Sequence, residues 1–225
     1  MSSNKKKLYL TILFIIDWDD TLFPTTWVNK NNINLTNQIN LEKYKLYFLE
    51  LDKTISTLLE SLNKIGDIYI VTNASMNWIK TCLSCLNITR DFVIKHKIRL
   101  VSARDSYSST STSPTEWKIL TFQDIMEDII KKISSNIKPN TIINIISIGD
   151  AMYEYVALIN LDNFIKSYLD NNSNVAPKEN FNYLLKNIKF VEKPDFTFII
   201  EQIQIIHKNS IDIVNRLEFI DLKFR

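Results

Sequence analysis

Glycine is nearly missing from this chain: it has two in 225 residues, Gly66 and Gly149, where average usage would give roughly sixteen. A G-x-G-x-x-G dinucleotide turn, a glycine-rich phosphate loop and a collagen repeat are all excluded, because none can be written with glycines 83 positions apart. Any phosphate bound here is bound without a glycine cradle. Cysteine is just as scarce. Cys82 and Cys85 form a lone C-x-x-C with no second Cys or His pair at ligand spacing, which excludes a four-ligand zinc site and a disulfide framework. Three positions apart they share one helix face, so they read as two core-facing small side chains, with a redox pair as the alternative. Excess charge of one sign is also missing: a net charge of +2 is too small to argue for nucleic acid or an anionic membrane as partner. No specific nucleic-acid motif is present. A membrane-length apolar run is missing as well. Leu8–Ile16 covers nine residues behind Lys5-Lys6-Lys7 and stops at Asp17-Trp18-Asp19-Asp20 without a small-residue cleavage site. A buried strand is expected there rather than a signal peptide, and with it an intracellular location.

The abundant residues are isoleucine (35), asparagine (24) and lysine (22 against 5 arginines). All have A/T-rich codons, so part of the skew reflects the genome. With 45% hydrophobic residues the chain has ample material for one core, and its length suits a single domain over residues 1–225.

Apolar runs alternate with longer amphipathic stretches. Strands are expected at Tyr9–Ile16, Ile68–Thr72, Ile98–Val101, Thr141–Ile148 and Ile188–Val191, and helices at Leu41–Ile65, Ser75–Leu86, Glu116–Ile133, Asp150–Leu161 and Pro194–Arg216. This alternation predicts an α/β fold, a doubly wound, mostly parallel sheet of about five strands with helices on both faces. Gly66 reads as the C-cap of the long helix. Ser102–Thr115, with nine Ser/Thr in fourteen residues, reads as a flexible loop, and residues 161–187, with Asp170-Asn171-Asn172-Ser173-Asn174 and Pro177, as an insertion or mobile connection.

Doubly wound sheets bind ligands at the carboxyl ends of their strands. There stand Asp17–Thr21, Thr72-Asn73, the stretch after Val101, and Gly149-Asp150. Acids so close on one turn repel each other and call for a cation. Magnesium fits, as a hard ion served by a few carboxylates, waters and substrate phosphate, with Asp150 as a second carboxylate. Thr72 can donate to phosphate oxygens.

These segments resemble the four motifs of the haloacid-dehalogenase-like (HAD) phosphatases. Asp17-Trp18-Asp19-Asp20-Thr21 matches D-x-D-x-T after an apolar strand, and Ile68–Thr72 matches a strand ending in Ser/Thr. Lys118 is taken as the motif lysine, with Lys131 and Lys132 as rivals. Ile145–Asp150 with Glu154 matches G-D followed by an acid four positions later. The resemblance covers residues 9–154. It implies that Asp17 attacks phosphorus and forms an aspartyl-phosphate. It implies that Asp19 protonates the leaving oxygen and then deprotonates water. Magnesium would be held by the Asp17 and Asp150 carboxylates and the Asp19 carbonyl, while Thr72 and Lys118 stabilise the transferring phosphoryl group. Glu154 would orient a metal-bound water or Lys118, and Thr21 would stand behind the acids. Asp20 reads as a surface or capping acid, Trp117 as a packing anchor, and Lys95–Arg99 as a solvated turn at the opposite edge.

Family members differ chiefly in cap insertions. Between Asp17 and Thr72 lie 54 residues, filled by a flap (about 23–40) and one long helix; between Asn73 and Lys118 lie 44. A capless, open site is expected. It suits a phosphoprotein, a nucleic-acid end, a nucleotide or another small phosphorylated molecule, though an oligomer can supply a lid. Phe23-Pro24 and Trp27 resemble the pair following the first motif in capless magnesium-dependent phosphatases. Trp27, Arg104, Tyr107 and Asn73 are the expected substrate contacts. The alternative function is a non-hydrolytic signalling or scaffold protein that uses the same acids without turnover.

Overall fold

The computed structural model describes residues 9–134, 141–171 and 182–225. Six strands make one sheet: β1 (Tyr9–Ile16), β2 (Asp67–Thr72), β3 (Arg99–Ser102), β4 (Thr141–Gly149), β5 (Asn182–Lys189) and β6 (Ile220–Lys223). Their order is β3-β2-β1-β4-β5-β6, and every neighbouring pair is parallel. The helices are α1 (Thr25–Lys30), α2 (Gln38–Lys43), α3 (Lys45–Asn63), α4 (Met76–Ser84), α5 (Asn87–His96), α6 (Ala103–Tyr107), α7 (Pro114–Ser134), α8 (Met152–Asn171) and α9 (Phe196–Asn215).

The two-residue period of a strand explains why β1 and β4 are apolar at almost every position. Phe14, Ile16, Ile68, Ile70, Ile146 and Ile148 join α3, α4, α5 and α9 in one core. Leu13, Ile15, Tyr69, Val71, Ile143 and Ile145 join α6, α7 and α8 in the other. Each fully buried Ile or Leu contributes about 1.5–3 kcal/mol, so β1, covered on both sides, is the axis of the fold. The chain winds from β1 outward to β3 and then from β4 outward to β6. The reversal between β1 and β4 opens the crevice where such sheets take ligands.

Several boundaries differ from expectation. The sheet has six strands, not about five: the short edge strand β6 went unread. The fifth strand is Asn182–Lys189, not Ile188–Val191. The expected helix at 41–65 breaks at Tyr44 into α2 and α3, and α5 is additional. The Ser/Thr-rich stretch holds α6, started by Ser102, whose hydroxyl accepts from Asp105 N. Of residues 161–187, the first eleven complete α8 and the last six lie in β5. Asn172, Ser173, Asn174 and Pro177 lie outside the described residues, as do Lys5-Lys6-Lys7 and Leu8. The expected flap is packed against the core, with Phe23, Val28, Ile33 and Leu35 buried.

Gly66 has no positive φ, and α3 ends at Asn63 with Lys64 as its cap, so it is not a C-cap glycine. It is needed for close approach, since a Cβ there would lie 2.6 Å from the Ile12 carbonyl oxygen on β1. Cys82 is buried, Cys85 half-buried, and both are free. Burial pushes both thiols up, the opposite of what a redox pair requires. No described helix is long and apolar enough to cross a membrane.

Candidate active site

Asp17 follows β1 directly, and its N–H donates to Ile148 O at 2.8 Å, continuing the ladder onto β4. The chain then turns sharply. Leu22 and Phe23 donate to Trp18 O, and Asp20 N donates to Phe23 O at 2.7 Å. These bonds use the Trp18 and Phe23 carbonyls and leave that of Asp19 out. Trp18 and Phe23 stack and bury the underside of the turn.

Lys118 reaches this turn from the second turn of α7. Its ammonium, 1% exposed, lies 2.5 Å from Asp17 Oδ1, 2.8 Å from Glu154 Oε1 and 2.6 Å from Val71 O. Burial works against its charge, but Asp17 and Glu154 outweigh that and hold it above the usual ammonium range. The rival lysines are on the surface: Lys131 pairs with Glu127, and Lys132 with Asp67. Asn73 amide N donates to Pro114 O at 3.1 Å, tying the end of β2 to the start of the helix that carries Lys118.

Asp17 Oδ2 faces Thr21 Oγ1 at 3.4 Å, and the same hydroxyl stands 3.5 Å from Asp150 Oδ1. Thr21 thus sits between the two carboxylates expected to share a cation. Burial pushes Asp17 well above the usual carboxylate range; Lys118 opposes this, while Glu154, Asp19 and Asp150 add to it. Asp150 is pushed up to about 7 by burial and by Glu154 and Asp20. Lys189 donates to the Asp150 carbonyl at 2.7 Å and holds the turn beyond β4.

Asp19 is the most heavily bonded acid. Its Oδ1 accepts from Thr25 Oγ1 at 2.5 Å and Trp78 Nε1 at 2.7 Å, and its Oδ2 from Thr72 Oγ1 at 2.7 Å. Thr72 is fully buried and also accepts from Ala74 N, so its hydroxyl hydrogen goes to Asp19 here. Thr25, Trp78 and Lys189 were missed by sequence reasoning. Trp78 alone carried a signal, as a tryptophan one turn into the helix after the second motif. Asp20 is buried, not on the surface, and fills the capping role at positive φ: its carboxylate accepts from Thr26 N and Thr26 Oγ1 at the start of α1.

Of the expected substrate contacts, Asn73 adjoins Thr72, while Trp27 and Tyr107 have their partners on other elements. Trp27 packs against Tyr44, Tyr47 and Phe196, with centroids 5.7, 5.2 and 5.1 Å away. The Tyr107 hydroxyl bonds Asp124, further along α7, and Arg104 is exposed on α6. Trp117 Nε1 donates to Ser111 O, as a packing anchor would. Lys95–Arg99 lies at the amino end of β3, at the opposite edge.

Among the described residues, no three His, Cys, Asp or Glu side chains stand together as a ready metal cage. A magnesium ion does not need one, since it keeps several waters and takes one or two carboxylates. The donor set fits such an ion: Asp17 and Asp150 share Thr21, the Asp19 carbonyl is left out of the turn's bonds, and Glu154 Oε2 is buried without a partner. Asp19, Asp150 and Glu154 stand near enough to Asp17 to raise its carboxyl, and Asp20 does the same to Asp150. Among the described residues, Lys118 is the one cation paired with any of their side chains. In comparisons with known proteins, no family model matches the chain and no curated protein does.

Proposed function

We propose that the chain is a magnesium-dependent phosphomonoester hydrolase that works through an aspartyl-phosphate on Asp17. The observation that carries this reading is the buried Asp17–Lys118–Glu154 cluster at the β1/β4 switch point, with a second, separately held acid, Asp19, two residues on. A salt bridge made only for stability would not need Asp19 and Asp150 beside it, since both add to the charge it must offset.

Lys118 orients the Asp17 carboxylate for in-line attack and meets charge on the transferring group. Asp19 gives its proton to the leaving oxygen and later takes one from water. Thr72, in contact with Asp19, lies within reach of both tasks. Asp17, Asp150 and the Asp19 carbonyl would hold magnesium, whose charge offsets that of the carboxylates and the phosphoryl oxygens. The segment after β1 is folded down as α1 to α3, which supports an open mouth suited to a phosphoprotein, a nucleic-acid end or a nucleotide.

The test is hydrolysis of a generic aryl phosphate with magnesium by the wild type and by Asp17→Asn. Magnesium-dependent turnover lost in the variant is expected. A wild type inactive across phosphopeptides, nucleotides, sugar phosphates and phosphorylated DNA ends would refute the reading in favour of a non-hydrolytic scaffold.

A further inference from the structure

We infer that Trp78 is a positioning residue for Asp19, its indole N–H holding the acid/base carboxyl in the rotamer that faces the leaving oxygen; the inference rests on the phosphatase reading above. Asp19 is only partly buried and sits on a turn, where an aspartate has more than one side-chain orientation available. Trp78 Nε1 at 2.7 Å and Thr25 Oγ1 at 2.5 Å converge on one oxygen, Oδ1. The indole is the stiffer of the two. Its ring meets Phe23 edge-on at 6.0 Å and 89°, and its main-chain N–H donates to the Ser75 side chain that starts α4.

An indole N–H only donates. Oδ1 is thereby kept as an acceptor, whereas the Thr72 hydroxyl that donates to Oδ2 here can rotate and accept instead, so Oδ2 is the oxygen able to exchange a proton. In the first displacement an Asp17 oxygen bonds to phosphorus. The bond to the leaving oxygen breaks with its electron pair on that oxygen, which takes the proton from Asp19 and departs as an alcohol. In the second, water bonds to phosphorus while Asp19 takes one of its protons. The bond from phosphorus to Asp17 breaks, inorganic phosphate leaves, and both aspartates return to their starting states. Both proton transfers need the same Asp19 orientation, and a donor that never exchanges its role is suited to hold it.

A leaving-group comparison separates this role from plain structural support. The full chain with magnesium is assayed on p-nitrophenyl phosphate, whose leaving oxygen departs without a proton, and on glycerol 2-phosphate, whose leaving oxygen needs one. Trp78→Phe keeps a ring against Phe23 and removes the N–H. Its kcat/KM, which reports the steps up to loss of the leaving group and not the shared hydrolysis of the aspartyl-phosphate, should fall about 10- to 100-fold on glycerol 2-phosphate, against less than about threefold on the aryl ester. Thr25→Val, which removes the other donor to Oδ1, should show the same bias and serves if Trp78→Phe does not fold. Equal losses on the two substrates, or no loss on either, would overturn the role. A wild type inactive on both substrates would count against the phosphatase reading instead. The contact is then tested without turnover: the indole N–H resonance absent from Trp78→Phe should shift in Asp19→Ala, and an unmoved resonance overturns the inference.

Discussion

Replacing Gly149 with alanine is a one-carbon change aimed at the centre of the candidate site. Gly149 closes β4, and the three atoms nearest a Cβ built there all belong to Glu154: Cγ at 2.4 Å, Cδ at 2.7 Å and Oε2 at 2.8 Å. Carbon atoms sit comfortably at about 3.5–4.0 Å, so the Glu154 side chain must retreat by about 1 Å or more. It cannot do so and keep its 2.8 Å contact with Lys118, which lies in the same buried cluster. Overpacking of this kind costs about 1–3 kcal/mol. For a chain of this size that lowers Tm by about 3–10 °C. A displacement of about 1 Å at a group that sets the Lys118 position should also lower kcat about 10- to 100-fold. Thermal unfolding and turnover are measured for Gly149→Ala, Glu154→Ala and the double variant. Removing the Glu154 side chain clears the obstruction, so Gly149→Ala should cost under about 0.5 kcal/mol in that background. An equal Tm loss in both backgrounds would refute the argument, because the strain would then lie in the backbone and not against Glu154.

Two further outcomes follow from the same structure. Asp52, buried on α3, accepts from Ile88 N at 2.9 Å and Thr89 N at 2.7 Å and caps α5, whose own cap position is Leu86. Asp52→Ala should cost about 2–4 kcal/mol in urea unfolding and Asp52→Asn about half of that, since the amide keeps one acceptor; an alanine variant within 0.5 kcal/mol of wild type, a bound of roughly the size seen for surface substitutions, would contradict the capping role. Asp150 is raised to about 7, above its ordinary value of 3.8, so between these values the metal-free native state binds more protons than the unfolded chain. This group's contribution to stability is therefore lost as pH rises through about 7, while magnesium, competing with the same proton, should bind more tightly as pH rises and level off above it. Calorimetry in buffers of different ionisation enthalpy should show proton release on binding below pH 7, and a pH-independent affinity would contradict the assignment.

The central strands could be read because each is determined by its own residues. β1 and β4 are largely apolar on both faces and short, the pattern expected of a doubly covered parallel strand. β5 defeats the same reasoning because two of its buried positions, Lys186 and Asn187, are polar. Lys186, fully buried, donates to the carbonyls of Ile213, Val214 and Arg216 at the end of α9, and Asn144 on neighbouring β4 also donates to Val214 O. Their partners lie 27 to 70 positions away, so the local sequence reads as solvated where the fold has a helix terminus to satisfy. β6 was invisible for a different reason. It is four residues long and exposed at three of them, so it shows no burial pattern and depends on pairing with β5.

The site divides along the same line. Asp17, Thr72 and Asp150 end strands that could be read, so strand order alone brings them to one edge, and Lys118 was picked out by its place in the motif order. The partners of Asp19 could not be found that way. Thr25 is six residues away, Thr72 53 and Trp78 59, and each arrives on a different element. The parallel pairing of β2 with β1 sets the start of α4 beside the turn, where its indole can reach Asp19. Motif spacing identifies which carboxylates meet. It does not identify what aims them, because aim depends on helix starts and ring packing that leave no periodic trace. In this chain the nucleophile candidate is held by a charge partner and the acid/base candidate by neutral donors. The two aspartates therefore differ in the character of their surroundings although they stand two residues apart, and that difference is what two successive proton and phosphoryl transfers at one turn would require.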